Sequence, residues 1–136
     1  MKATAKVLLI EDDIDNRMLL TESFAASQTN PEIVYAENGD EAIRFLNAIP
    51  AKENYPCLII LDLNMPRRNG KETLSYLKAS PELASIPVVV FSTSGNRADM
   101  DCCWKLGAAS YIQKPYHFDG YKAAVEQFIS LMHNTA

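Results

Sequence analysis

Short apolar runs alternate with longer amphipathic stretches five times in 136 residues, and this constrains the chain more than any other feature. Ala5 to Ile10, Ile33 to Ala36, Cys57 to Leu61, Pro87 to Phe91 and Ser110 to Gln113 read as strands. The third, Cys57-Leu58-Ile59-Ile60-Leu61, is apolar without a break, which suits a strand covered on both faces. Helices are expected over Ile14 to Ala26, Asp40 to Ala48, Gly70 to Ala79, Asn96 to Leu106 and Asp119 to Met132. The last carries Tyr121, Ala124, Val125, Phe128, Ile129 and Met132 at the spacing of one helical stripe. Leu19, Leu20 and Phe24, then Ala42, Ile43 and Leu46, and then Leu74 and Leu77 are the inward positions of the first three helices. Asp13 or Asp15 is placed to cap the first helix, and Gly107 to end the fourth. Strict alternation predicts an α/β fold: a doubly wound, five-stranded parallel sheet with helices on both faces. No linker, composition shift or low-complexity run interrupts it, so a single domain over residues 1–136, with a core from about 6 to 132 and no output domain, is expected.

A net charge of −4 argues against a broad nucleic-acid-binding face, which needs a basic surface. No apolar run approaches the roughly 18 residues of a membrane span. The first residues run from Met1-Lys2-Ala3 into a strand and lack the features of a secretory signal. Cys57, Cys102 and Cys103 are odd in number and lack C-x-x-C spacing, so a reducing, cytoplasmic setting is expected.

A parallel sheet brings the carboxyl ends of its strands to one edge, where open α/β sheets bind ligands. Glu11 and Asp12 leave the first strand there, Asp62 the third, Ser92 the fourth, and Lys114, just before Pro115, the fifth. Carboxylates so gathered repel one another unless a cation or protons intervene. An oxygen-only set suits Mg²⁺. His117 and His133 have no zinc spacing to any cysteine pair. Plainer readings stand beside these: a strand exit for Glu11 and Asp12, a loop hydroxyl for Ser92, and a simple turn, compatible with a cis bond, for Lys114-Pro115. Asp13 reads as a cap rather than a ligand.

These residues and their order resemble the receiver domains of two-component response regulators, the chemotaxis-regulator (CheY-like) family, from Lys6 to about Met132. The matching pieces are Glu11-Asp12, Leu61-Asp62-Leu63-Asn64-Met65-Pro66 with Gly70, Phe91-Ser92-Thr93, Leu106-Gly107-Ala108 and Lys114-Pro115. Ser92 lies 30 positions beyond Asp62, and Lys114 22 beyond Ser92, as that family's pattern expects. The resemblance implies a flavodoxin-like sheet of order 2-1-3-4-5 with five helices. It implies phosphorylation of Asp62 by a histidine kinase's phosphohistidine. Mg²⁺ would be held by Glu11, Asp12, Asp62 and the backbone carbonyl of Asn64. Ser92 and Lys114 would contact phosphoryl oxygens, Ser92 and Tyr111 would form the switch, and Thr93 and Ser94 would line the site and tune water access. For Tyr111 a plain core position is the competing reading.

The face remodelled by the switch would comprise the fourth helix, fifth strand and fifth helix, which include Trp104, expected as a packed helix residue. Cys102 and Cys103 are expected in helix packing. The implied partners are a histidine kinase, hybrid or phytochrome-like, or a histidine phosphotransfer protein, with a homodimer through the same face left open. No direct contact with nucleic acid or membrane is expected. The chain departs from the commoner pattern in having Glu rather than Asp at position 11, a long connection from Pro50 to Pro56, and the basic pair Arg67-Arg68, read as a solvated loop or a contact for an acidic kinase surface. Two other functions compete. One is a pseudo-receiver that binds partners without phosphorylation; the filled positions disfavour it. The other is an aspartyl-phosphate phosphatase, which the Asp62-Leu63-Asn64 sequence disfavours because it lacks a second acid/base carboxylate.

Overall fold

The computed structural model describes residues 5–27, 29–63 and 70–133. Five strands, β1 (Lys6–Ile10), β2 (Glu32–Ala36), β3 (Leu58–Leu61), β4 (Val88–Ser92) and β5 (Ser110–Gln113), form one parallel sheet in the order β2-β1-β3-β4-β5. Among the described residues five α-helices connect and follow them: α1 (Ile14–Ala25), α2 (Gly39–Asn47), α3 (Gly70–Ala79), α4 (Arg97–Leu106) and α5 (Phe118–His133). This is the doubly wound arrangement expected from the alternation. The connection before β3 holds a short 3-10 turn, Lys52–Asn54, within what reads as a plain polar loop.

Successive residues of each central strand point to opposite faces. Leu8 and Ile10, Ile59 and Leu61, and Val88 and Val90 pack with α2, α3 and α4 in one core. Val7 and Leu9, Leu58 and Ile60, and Val89 and Phe91 pack with α1 and α5 in the other. Apolar side chains on both faces explain why these strands carry no polar alternation. The second core is closed by aromatic rings. Phe128 stacks on Phe24 at 6.1 Å between ring centroids, and Phe91 meets both Phe128 and Tyr121 edge-on at 5.3 and 5.8 Å. Complete burial of a ring like Phe128 contributes about 1.5–3 kcal/mol.

The helix ends follow local chemistry. The Asp13 carboxylate accepts the Asp15 N–H and caps α1, so Asp13 rather than Asp15 has that place. Asn38 caps α2 and Asn96 caps α4 in the same way. Gly107 ends α4 at φ 103°, in the left-handed region that other side chains avoid. Gly70 meets a different demand. A Cβ there would lie 2.5 Å from Leu63 Cα and 2.6 Å from the Asp62 carbonyl oxygen, so the start of α3 can press against the end of β3 only as glycine.

Candidate functional site

Backbone hydrogen bonds fix the sheet edge that gathers the predicted residues. Glu11 N–H donates to the Ala36 carbonyl at 3.0 Å, Asp62 N–H to Ile10 at 3.1 Å, and Lys114 N–H to Ser92 at 2.7 Å. Each residue therefore leaves its strand in register with a neighbour, and their side chains meet above the sheet. Glu11, Asp12 and Asp62 each offer a carboxylate oxygen within 4.8 Å of the others. Asp12 is exposed at the rim, whereas Glu11, Asp62, Ser92 and Lys114 are buried. The Lys114 ammonium lies 2.7 Å from Glu11 Oε1 and 3.5 Å from Asp62 Oδ2. It also sits 5.9 Å from the Phe91 ring centroid, within reach of that ring's negative face.

The electrostatics follow from burial and crowding. Desolvation pushes the Glu11 carboxyl up to about 7, against the pull of the Lys114 hydrogen bond, and the Asp62 charge adds to the rise. For Lys114, burial alone would lower the ammonium, but the Asp62 charge and the Glu11 hydrogen bond outweigh it and hold it above its ordinary value. Three carboxylates thus crowd beside one lysine. This all-oxygen donor set, open to solvent at Asp12, fits a hard divalent cation such as Mg²⁺ far better than zinc.

The remaining predicted residues fall around this cluster. Ser92 is fully buried at the end of β4, and its hydroxyl accepts the Ser94 N–H at 3.2 Å. Tyr111 is buried, and its hydroxyl donates to the Ser94 carbonyl at 2.8 Å. Thr93 is exposed, with its carbonyl bound by Gln113. Asn64, Arg67 and Arg68 lie outside the described residues. The Lys114–Pro115 bond is not cis.

Trp104 departs from expectation. It is 49% exposed, because its neighbour Cys103 takes the inward position and one residue turns a helix by about 100°. Of the cysteines, Cys103 is buried and Cys102 half-buried.

Sequence reading also misses Arg17. Its Nε donates to the Glu11 carbonyl at 2.7 Å and its guanidinium lies 5.7 Å from the Tyr35 ring centroid. It stands one turn into α1, six residues from Glu11, with no motif to mark it.

A doubly wound parallel sheet that carries clustered acids and a buried lysine at its carboxyl edge defines a receiver of the CheY-like class. The chain belongs to the response regulator receiver domain family, whose pattern it matches over residues 7–126. It is 36% identical over 110 residues to the response regulator Rcp1 of Synechocystis sp., a match that covers 79% of this chain and 75% of that one. The crystal structure of the phosphorylated cyanobacterial phytochrome response regulator RcpA superposes with a TM-score of 0.86 at 34% identity, over 98% of this chain and 97% of that one. The Mn²⁺-bound form of Rcp1 superposes at 0.84 and 32% identity, over 97% and 96%. The protein is therefore a two-component response regulator receiver domain of the Rcp1 type. Among the described residues no helix is long and apolar enough to cross a membrane.

Proposed function

We propose that Asp62 accepts a phosphoryl group from the phosphohistidine of a histidine kinase. One observation carries this reading: the Asp62 carboxylate is buried beside a cation, Lys114 at 3.5 Å, and two further acids. In the transfer the phosphorus–nitrogen bond breaks, an acyl-phosphate bond to a carboxylate oxygen of Asp62 forms, and the imidazole departs. Such a reaction asks the protein for position and for positive charge near the equatorial oxygens. Lys114 supplies a fixed charge, and Ser92 a hydroxyl one strand over from Asp62. Glu11, Asp12 and Asp62, with the backbone carbonyl of Asn64, would hold Mg²⁺, which when bound supplies the remaining charge neutralisation.

Phosphorylation would then act through Ser92 and Tyr111 on the face formed by α4, β5 and α5. RcpA is a phytochrome response regulator, and the likeness to it supports a phytochrome-type histidine kinase as the donor. The output would be partner binding, onward transfer to a histidine phosphotransfer protein, or pairing of two copies through that face. We read the chain as a cytoplasmic receiver, a signalling protein whose chemistry is phosphotransfer onto itself and slow loss of that group. Incubation with acetyl phosphate and Mg²⁺ tests the core of the reading by intact-mass spectrometry. A gain of one phosphoryl group that disappears in Asp62→Asn is expected; a wild-type chain left unmodified would make it a pseudo-receiver.

A further inference from the structure

Glu11 is held at each of its polar groups. Its N–H donates to the Ala36 carbonyl at 3.0 Å, its Oε1 meets the Lys114 ammonium, and its Oε2 accepts the Asp13 N–H at 3.4 Å. Its carbonyl accepts Arg17 Nε at 2.7 Å. Asp12, the next residue, differs. Among the described residues no hydrogen bond holds its carboxylate, which reaches the acidic cluster from the exposed rim. Its aim is therefore set by the backbone that carries it. A peptide group is planar, so a donor that fixes the Glu11 carbonyl fixes the whole Glu11–Asp12 plane. The direction in which Asp12 leaves β1 is fixed with it.

Arg17 is itself held from two sides. It is the fourth residue of α1, and its guanidinium lies 5.7 Å from the centroid of the Tyr35 ring on β2. The Tyr35 hydroxyl contacts that of Thr21, which donates to the Arg17 carbonyl at 2.7 Å. Packing does not account for a guanidinium here. Among the described residues its Nη2 is buried without a hydrogen-bond partner, a cost that an aliphatic side chain would avoid.

We propose that Arg17 is a positioning residue for the metal site: by holding the Glu11 carbonyl it orients the Glu11–Asp12 peptide and aims Asp12 at the ion. This rests on the reading of Glu11, Asp12 and Asp62 as Mg²⁺ ligands. Hydrogen bonds behind a ligand raise affinity by fixing its direction, without touching the ion. The sign is opposite to that of plain electrostatics, in which a nearby guanidinium repels a cation.

Two substitutions of matched length separate the hydrogen bond from the charge. Arg17→Gln places an amide nitrogen as many bonds from Cα as Nε of Arg17, whereas Arg17→Met has a similar reach and no donor. Calorimetric titration of the full chain with Mg²⁺ should show about tenfold weaker binding in Arg17→Met, and binding within about twofold of wild type in Arg17→Gln. Equal or tighter binding in Arg17→Met would leave only the charge effect and overturn the proposal. Arg17→Gln binding no better than Arg17→Met would do the same. Leu20→Val, which loosens α1 from its buried side, should bind Mg²⁺ as wild type does; a loss equal to that of Arg17→Met would reduce Arg17 to helix packing. NMR relaxation of the metal-free chain reads the positioning without the ion. The order parameter of the Asp12 amide should fall from about 0.85 to below about 0.6 in Arg17→Met and stay near wild type in Arg17→Gln. An Asp12 amide equally ordered in all three chains contradicts the proposal. If Arg17→Met folds poorly, Tyr35→Leu decides in its place: it frees the guanidinium and should weaken Mg²⁺ binding, and unchanged binding overturns the role. A wild-type chain that binds no Mg²⁺ sinks the metal reading instead, and the relaxation result then decides the role of Arg17.

Discussion

Two lysine–carboxylate pairs in this chain have almost the same length and opposite character. Lys114 meets Glu11 at 2.7 Å with side chains 6% and 2% exposed, and Lys71 meets Asp99 at 2.6 Å with side chains 41% and 29% exposed. Distance therefore does not rank them; solvent does. In the buried pair the charges have lost their water, and neither can lose its partner cheaply. In the outer pair water and salt stand ready to replace either partner. The inner pair is suited to fixing charges in place for chemistry. The outer one is suited to being opened.

The largest expected effect comes from removing each lysine in turn. Lys114→Met leaves Glu11 and Asp62 buried with no ammonium between them and should cost about 3–5 kcal/mol in urea unfolding at pH 8 without divalent ions. At pH 5.5 the loss should shrink, because Glu11, raised to about 7, is then protonated. Lys71→Met should leave the unfolding midpoint within error at both pH values. Equal losses in the two variants would break the contrast.

The inner pair also carries a pH signature that the outer one lacks. Glu11 rises from its ordinary 4.5 to about 7 through burial. Between those values the folded chain keeps a proton that the unfolded chain has released. The stability this confers is complete below about 4.5 and gone above about 7. Metal-free wild type should thus lose stability as pH climbs through that window, and Glu11→Gln should flatten the slope. If Glu11 is a ligand, a divalent ion must displace the same proton, so Mg²⁺ affinity measured by calorimetry should fall by up to about tenfold per pH unit below 7. An affinity independent of pH from 6 to 8 would show that Glu11 is not in the ion's coordination set.

The difference between the pairs also marks what a sequence can reveal. Glu11, Asp12, Asp62, Ser92 and Lys114 are far apart in the chain, yet their meeting is legible because a parallel sheet sends all strand ends to one edge. The apolar runs fix that sheet, and the turn signals fix where each strand stops, to within a residue or two. Lys71 and Asp99 have no such rule. They sit on separate helices whose relative rotation depends on packing, and a charge near a helix start reads as solvation or capping. Trp104 shows the same limit on a smaller scale. On the ten residues of α4 the choice between Cys103 and Trp104 as the inward side chain is set by the space left beside α3 and the sheet, which no periodicity contains. The Ser94 hydroxyl lies at the boundary. Its place beside Ser92 is readable, but its bond to Asp99 Oδ2, at 2.7 Å, appears only once α4 is docked.

The smallest effect separates the pairs most cleanly, because it changes no atom of the protein. Raising salt from about 0.1 to 1 M shortens the screening length from about 10 Å to about 3 Å. At Lys71–Asp99, open to that salt, the Ser94 amide should exchange about twofold faster, moving toward the rate of Asp99→Ala. In Asp99→Ala itself salt should add nothing, since the screened pair is already gone. The stability gap between wild type and Lys114→Met should stay constant over the same range, because ions do not enter a pair buried to that degree. Salt that closed this gap while leaving Ser94 exchange untouched would reverse the assignment: the inner pair would be the accessible one, and the outer pair would be held by packing rather than charge.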